Sequence, residues 1–283
     1  MQFLRAAKGS LESLIRILKL GTNTMAYIRD EYIFSDSIEV ELKWTGRYGA
    51  KGEKRGPRQK ATPDVIEKQN QRNKEKRYRR LVKANFRKGD LWLTLTYPRG
   101  TRLTIEEVKK DISNLNKILR REYKKREADY KWINRIEIGA NGGIHIHMII
   151  NHVRGEPSIE QFISEHWKQG RVNFEMFKGD EESNKKIGDY ITKPLTENQV
   201  KRAREQDINP KELVKVSSSR NLIRPKPKRK AYSHRTMRKV VDTGQPIARK
   251  GFYVDKNSVI FGVNPFTGLS YCYYTEVRGD TEP

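Results

Sequence analysis

Two histidines separated by one residue lie in an apolar run, residues 143–150, directly after a glycine-rich turn at residues 139–143. Alternate residues of a β-strand point to the same face, so His145 and His147 would project together while the apolar residues around them face a core. Imidazole nitrogens are common ligands of divalent metals. The spacing therefore predicts a strand that offers two ligands to one metal ion. The alternative is an exposed strand face with two histidines and no metal.

A divalent metal needs more than two side-chain ligands, and Glu137, in the preceding segment 131–138, is the candidate third. Toward the end of that segment the even-numbered residues are apolar and the odd-numbered ones polar. A sheet that buries one face pairs even with even, because a slip of one residue would turn every side chain over. The connection should then have three or five residues, or a bulge. Two imidazoles and one carboxylate with open positions suit Mg²⁺ or Mn²⁺ better than a structural zinc.

A second chemical feature follows about forty residues later, in the segment 181–193. Its apolar positions are four residues apart, as in a helix with one buried face, and Lys186, Tyr190 and Lys193 then share another face. Nearby cations favour the phenolate and would lower the pKa of Tyr190 from its ordinary value of about 10. A tyrosine nucleophile conserves the energy of a broken phosphodiester in a covalent bond. The alternative is a half-buried tyrosine that packs against the core with lysines around it.

The charge of the chain indicates the class of partner. Lys plus Arg is 59 and Asp plus Glu is 35, a net charge of +24, and much of the excess lies in residues 51–90. Such an excess is typical of nucleic-acid binders, with an anionic lipid surface as the weaker alternative. The single cysteine, Cys272, excludes an internal disulfide and a cysteine-rich zinc site, which fits a reducing compartment. No apolar stretch is long enough to span a bilayer, so we expect a cytoplasmic protein without a membrane partner.

Periodicity and capping signals give the expected elements. They predict strands at residues 37–44, 91–97, 131–138, 144–151 and 171–177, and helices at residues 63–86, 104–125, 158–167 and 181–193. A short amphipathic helix is expected within residues 1–20, and a basic loop at residues 47–60. The predicted organisation is a helical extension at residues 1–36, a central domain at 37–200, a basic linker at 201–230 and a small β-rich region at 231–283.

Three motifs in order carry a family resemblance. They are Leu93-Thr-Leu-Thr-Tyr97 on a strand, Glu137 with His145-Ile-His147, and Tyr190-Ile-Thr-Lys193 on a helix. In these motifs, over residues 37–200, the chain resembles the HUH endonucleases, specifically the rolling-circle replication initiators of bacterial plasmids and phages. The resemblance implies an α+β, ferredoxin-like domain in which an antiparallel sheet of about five strands carries helices on one face.

The resemblance also implies a reaction. Tyr190 would attack a specific strand of single-stranded origin DNA, leaving a 5′-phosphotyrosyl bond and a free 3′-hydroxyl for a polymerase. Lys193 would orient Tyr190 and the waters of the bound Mg²⁺ or Mn²⁺. The site residues expected to contact DNA are Lys186, Arg135, Thr94, Thr96, Arg77, Arg79 and Arg80.

Two departures from the family pattern concern partners. Pro194 stands where two-tyrosine initiators carry their second tyrosine, so a second strand transfer would need another subunit, as in a homodimer, or a hydrolytic step. No phosphate-binding Gly-x-x-x-x-Gly-Lys-Ser/Thr loop is present in the sequence, so a host helicase would unwind the duplex.

Three alternatives remain open at the level of sequence. A relaxase or transposase would use the same chemistry on different DNA. A DNA-binding regulator would use the same fold without catalysis. A metal-dependent nuclease would attack with water rather than with Tyr190.

Overall fold

A computed structural model describes residues 27–44, 62–139, 141–232, 234–263 and 270–279. The predicted helix within residues 1–20 and the predicted loop at residues 47–60 lie outside these ranges. In chain order the elements are β1 Tyr27–Ile33, β2 Ser37–Trp44, α1 Pro63–Asn85, β3 Leu91–Thr96, α2 Ile105–Lys125, β4 Trp132–Ile138, β5 Ile144–Ile150, α3 Ile159–His166, β6 Val172–Met176, α4 Glu181–Thr192, α5 Glu197–Glu205, α6 Pro210–Leu213, β7 Val216–Ser218, β8 Lys228–Tyr232, α7 His234–Thr243, β9 Phe252–Val263 and β10 Ser270–Arg278.

The chain folds into two compact units. The central unit is Thr62–Arg224, and the terminal unit combines Met1–Ala61 with Pro225–Pro283. This division differs from the predicted one, which placed β2 with the histidine strand and treated residues 201–230 as a linker. The helices and strands predicted between residues 62 and 193 are all present, with bounds within one or two residues of those expected.

An antiparallel five-stranded sheet forms the frame of the central unit, in the order β6-β3-β5-β4-β7. The α+β class and the number of strands are therefore confirmed. The fifth strand is β7, from the segment predicted as a linker, and not the strand at residues 37–44. Basic residues dominate that segment and hide its few apolar ones, yet Ala203, Ile208 and Leu213 are buried in the core of the central unit.

Helices cover both faces of this sheet, whereas the resemblance implied one. The even-numbered residues of β5 pack in one core with residues of α2 and α3. On the opposite face, Ile133 and Ile149 pack with Leu81 of α1 and with Ile187 and Ile191 of α4. The second layer explains the apolar Ile133 at an odd position, because both faces of the sheet need apolar contacts.

Helix caps support the central unit at its loops. Thr62, Thr104 and Ser158 accept hydrogen bonds from backbone N–H groups of α1, α2 and α3, as the sequence predicted, and the last two form complete capping boxes. Each such cap stabilises a helix by about 1 kcal/mol. Thr196 and Gln199 form a further capping box, not predicted, at the start of α5.

The terminal unit is β-rich, as predicted, but the N-terminal part of the chain completes it. Its antiparallel sheet has the order β8-β1-β2-β10-β9. Val40 of β2 is paired with Tyr274 of β10, and Met237 of α7 packs in the same core. The strict alternation of β2 identified a half-buried strand, but its partner lies more than 200 residues away, and alternation does not specify a partner. No helix in the described ranges is long and apolar enough to cross a membrane.

Candidate active site

The hairpin of β4 and β5 aligns the predicted metal ligands. Glu137 is paired with His145, and Ile138 with Ile144, so the connection is the five-residue segment 139–143 and even residues face even ones, as predicted. Gly142 has φ +81°, a conformation that favours glycine, and the N–H of Gly139 donates to the carbonyl of Gly143 at 2.8 Å. Glu137, His145 and His147 therefore share one face of the sheet.

Helix α4 brings Tyr190 onto the same face. Its hydroxyl donates to Glu137 Oε2 at 2.8 Å and lies 3.0 Å from His147 Nε2. The same two atoms of Glu137 and His147 are 3.1 Å apart. The structure thus joins a carboxylate, an imidazole and a phenol that are 53 and 43 residues apart in the chain.

His145 is adjacent to this cluster without joining it. Its ring centroid lies 6.3 Å from that of His147. The ring covers the turn, since a Cβ built on Gly139 would lie 3.4 Å from His145 Cε1. Burial lowers the pKa of His145, and the charge of His147 adds to that effect. A neutral imidazole is the form that binds metals.

Three further residues hold the cluster in place, and the sequence interpretation missed their role. Gln199, only 9% exposed, donates to Glu137 Oε1 at 2.8 Å and to the carbonyl of Ile138 at 3.0 Å. Thr94 Oγ1 lies 3.2 Å from His147 Nδ1, and the ring of Trp92 stacks on the imidazole with centroids 5.9 Å apart. The capping signal Thr196-x-x-Gln199 and the shared parity of Trp92 and Thr94 in β3 were readable in the sequence.

The C-terminal end of α4 is fixed by Arg135. This side chain is 2% exposed and donates to the carbonyls of Tyr190 and Ile191 at 3.1 and 3.2 Å, and to that of Leu213 at 3.2 Å. The expectation that Arg135 contacts DNA does not fit this placement, because its guanidinium is buried against backbone carbonyls. Cations suit the carboxyl end of a helix, so the contact stabilises the turn that carries the phenol.

The environment of Tyr190 is not the one that the sequence suggested. Burial raises the pKa of Tyr190 above its ordinary value, and the hydrogen bond to Glu137 with the negative charge of that group raises it further. The hydrogen bond with His147 is the main cause that lowers the pKa of Glu137, to about 2. The expected lowering of the Tyr190 pKa was therefore wrong, because the group facing the hydroxyl is a carboxylate rather than a lysine.

The two lysines expected to act on Tyr190 point elsewhere. Lys186 and Lys193 are exposed, and neither side chain makes a hydrogen bond or ion pair within the described ranges. Lys193 instead ends α4, where its backbone N–H donates to the carbonyl of Tyr190 at 3.4 Å.

The remaining residues expected to contact DNA have varied surroundings. Thr96 donates to the carbonyl of Arg171 at 3.1 Å. Arg77 is exposed, with its guanidinium 4.9 Å from the centre of the Tyr78 ring. Arg79 and Arg80 lie at intermediate and buried positions of α1.

The donors suit a divalent cation in type and in orientation. Glu137, His145 and His147 offer two imidazoles and a carboxylate on one sheet face, next to Tyr190. As they are arranged, however, no three His, Cys, Asp or Glu side chains among the described residues are grouped to hold a metal ion. The Tyr190 hydroxyl contacts both Glu137 and His147, and the His145 ring is turned to the glycine turn. Metal binding would require the hydroxyl to leave and the ring to rotate.

One comparison with known proteins is informative about this region. Residues 90–199 match the model of a family of replication-associated proteins, described as Replication-associated protein ORF2. The matched segment begins one residue before β3 and contains Glu137, both histidines, Tyr190 and Gln199. No curated protein and no solved structure matches the chain.

Proposed function

We propose that this protein is a replication initiator that nicks single-stranded origin DNA with Tyr190 as the nucleophile. The observation that carries the proposal is the contact of the Tyr190 hydroxyl with Glu137 and His147, at 2.8 and 3.0 Å. A phenol beside potential metal ligands on a sheet face is the arrangement that metal-assisted attack on a phosphodiester needs. The family match and the net charge of +24 support DNA replication as the context.

The proposed reaction is a transesterification. The phenolic oxygen of Tyr190 attacks the phosphorus, the bond from phosphorus to the 3′-oxygen breaks, and a 5′-phosphotyrosyl bond forms. The phenolic proton passes to water, and the departing oxygen takes a proton and becomes a free 3′-hydroxyl. A Mg²⁺ or Mn²⁺ ion held by Glu137, His145 and His147 would polarise the scissile phosphate.

The surrounding residues prepare Tyr190 for this step. While its hydroxyl donates to Glu137, the phenol is held neutral, because burial and the carboxylate raise its pKa. Loss of that hydrogen bond removes two of the causes and makes deprotonation easier. Arg135 and Thr94 keep the helix end and the His147 ring in fixed positions. Lys186, Lys193 and Arg77 are exposed cations near or on the same helices and are proposed to contact DNA phosphates.

The proposed partners follow from the reaction. The 3′-hydroxyl would serve a host polymerase, and a host helicase would open the duplex in the cytoplasm of a bacterial cell. Because Pro194 follows the Tyr190 helix, closing of the displaced strand would require a second subunit or hydrolysis.

A covalent adduct tests the proposal. The protein is incubated with Mn²⁺ and single-stranded oligonucleotides that tile the DNA element encoding it, and the products are separated on a denaturing gel. We expect a protein–DNA band that requires Mn²⁺ and is lost in Tyr190→Phe but kept in Tyr253→Phe, whose ring is exposed in the terminal unit. His147→Ala should lose the band while DNA binding is retained.

The alternatives give different results in the same experiment. A nuclease that uses water cleaves the oligonucleotide without an adduct, and a regulator without catalysis leaves it intact. A relaxase or transposase forms the adduct on a transfer origin or an element end instead of a replication origin. An adduct that persists in Tyr190→Phe would contradict the assignment of the nucleophile.

A further inference from the structure

Two adjoining cavities lie on the face of the central sheet opposite to Tyr190, between α2 and the strands β4 and β7. Their volumes are about 930 and 360 Å³, and Arg120 and Trp132 line both, so they form one continuous groove, called here the α2 groove. Trp132, Asn134 and Ile136 line it with even parity, whereas Glu137 faces Tyr190. Both volumes lie within the range of ligand sites, roughly 300–1,000 Å³.

Two buried hydrogen-bond donors in the wall of the groove have no acceptor. Asn134 is 3% exposed, and its Nδ2 has no hydrogen-bond partner in the described part of the chain. The same holds for the buried Nε1 of Trp132. Buried polar atoms are nearly always paired, and an unpaired donor costs about 1–3 kcal/mol. Two such donors in one groove indicate a ligand that brings hydrogen-bond acceptors.

The opposite wall is basic. Lys117, Arg120 and Lys124 follow one stripe of α2 at spacings of three and four residues, and Arg220 approaches after β7. All four side chains are exposed, and none makes an ion pair or hydrogen bond with another described residue. In total, six basic and three acidic side chains line the groove. The stripe spans about 10 Å of helix, which suits several phosphates of one strand better than a single phosphate.

We propose that the α2 groove binds a segment of single-stranded DNA. The unpaired donors of Asn134 and Trp132 would meet acceptor atoms of unstacked bases, and the cations of α2 would meet the backbone phosphates. A base-paired duplex hides those acceptors, whereas grooves that combine cations with an aromatic ring are typical of single-strand sites. The inference rests on the proposed function for the class of partner, and it adds a second DNA contact remote from Tyr190.

Fluorescence anisotropy measures the affinity for a labelled single strand of about 20 nucleotides, longer than the roughly 4–16 nucleotides that one such site covers. EDTA is present, so that no cleavage occurs. The double variant Lys117→Gln/Arg120→Gln should bind about tenfold more weakly, and its plot of log K against log salt should be shallower by about 1.4. The matched control is Lys110→Gln/Arg121→Gln, which removes the same charge from exposed positions of α2 that do not line the groove. Equal affinity and salt dependence of the two double variants would overturn the proposal.

Asn134→Leu separates a ligand contact from a packing defect. Removal of an unpaired buried amide by an apolar group of similar shape is neutral or stabilising, so the melting temperature should stay or rise. The affinity for the single strand should nevertheless fall, by at least about threefold. A more stable variant with unchanged affinity would mean that Asn134 contacts no DNA. Deoxyadenosine monophosphate that competes as strongly as the oligonucleotide would replace the strand by a free nucleotide and overturn the proposal.

Adduct formation by the wild-type protein, measured separately, reports on the proposed function. At saturating protein concentration the groove variants should form the adduct at the wild-type rate. If the wild type forms no adduct but its affinity depends on the groove, the nicking reaction is refuted and the groove remains. If the adduct forms and the groove variants bind as the control does, the groove is refuted and the nicking reaction remains.

Discussion

Gly188 lies where α4 crosses α1, two residues before Tyr190, and Gly188→Ala should displace the phenol. A Cβ at this position would lie 2.9 Å from the Cα of Arg79 and 3.0 Å from its Cβ. Carbon atoms in contact prefer about 3.5–4.0 Å, so α4 must move by about 0.6–1 Å. The hydroxyl of Tyr190 is held by hydrogen bonds of 2.8 and 3.0 Å, which a movement of that size would break or lengthen.

The expected loss of function exceeds the loss of stability. Overpacking costs about 1–3 kcal/mol, and the higher helix propensity of alanine returns about 1 kcal/mol. The net destabilisation is then about 0–2 kcal/mol, or a decrease of the melting temperature by several degrees at most. A misplacement near 1 Å can lower a reaction rate about 100-fold, so the rate of adduct formation should fall by about 10–100-fold.

Single-turnover adduct formation and thermal unfolding measure the two effects. Lys185→Ala serves as the control, because Lys185 is an exposed residue of the same helix. It should leave the rate of adduct formation unchanged. If Gly188→Ala raises the melting temperature and keeps the wild-type rate, the crossing tolerates the methyl group and the argument from close packing is refuted.

Three further perturbations probe the site and the terminal unit. Gln199→Leu removes the hydrogen bonds to Glu137 and to a buried carbonyl; thermal unfolding should show a loss of about 1–3 kcal/mol, and a slower adduct reaction is expected, whereas wild-type behaviour would remove Gln199 from the site. Thr94→Val removes the hydroxyl beside His147 Nδ1 and should weaken Mn²⁺ binding about tenfold in calorimetry; equal affinity would contradict a positioning role. Burial alone raises the pKa of Asp30, but hydrogen bonds from an arginine and a lysine lower it below 3.8. A lowered pKa contributes stability above pH 3.8 that is lost as the pH falls through and below that value, so acid should destabilise the wild type more steeply than Asp30→Asn, as melting curves at about pH 7, 5 and 3 would reveal.

Local patterns predicted the elements of the central unit well. Strict parity in residues 131–150 led to the even-with-even register and a connection of suitable length, both of which the hairpin confirms. Caps at Thr104 and Ser158 marked helix starts correctly. These features depend on neighbouring residues, whose contacts follow from the geometry of one hairpin or one helical turn.

Long-range pairing was not predictable in the same way. The strand at residues 37–44 was recognised as a strand and assigned to the wrong sheet, because β10, its partner, begins at residue 270. The basic segment after residue 200 was read as a linker although it contributes β7 and three buried apolar residues.

The chemistry of the site divides along the same line. The primary structure carries the kinds of groups present, their parity on β4 and β5, and the helical spacing around Tyr190, since each is a property of a short stretch of chain. Whether the phenol meets a lysine or a carboxylate depends on how α4 lies across the sheet, and that is settled by the packing of α1, α4 and the odd face of β4 and β5. The tertiary contacts therefore reversed the expected direction of the Tyr190 pKa, because an electrostatic environment is the sum of groups from distant parts of the sequence.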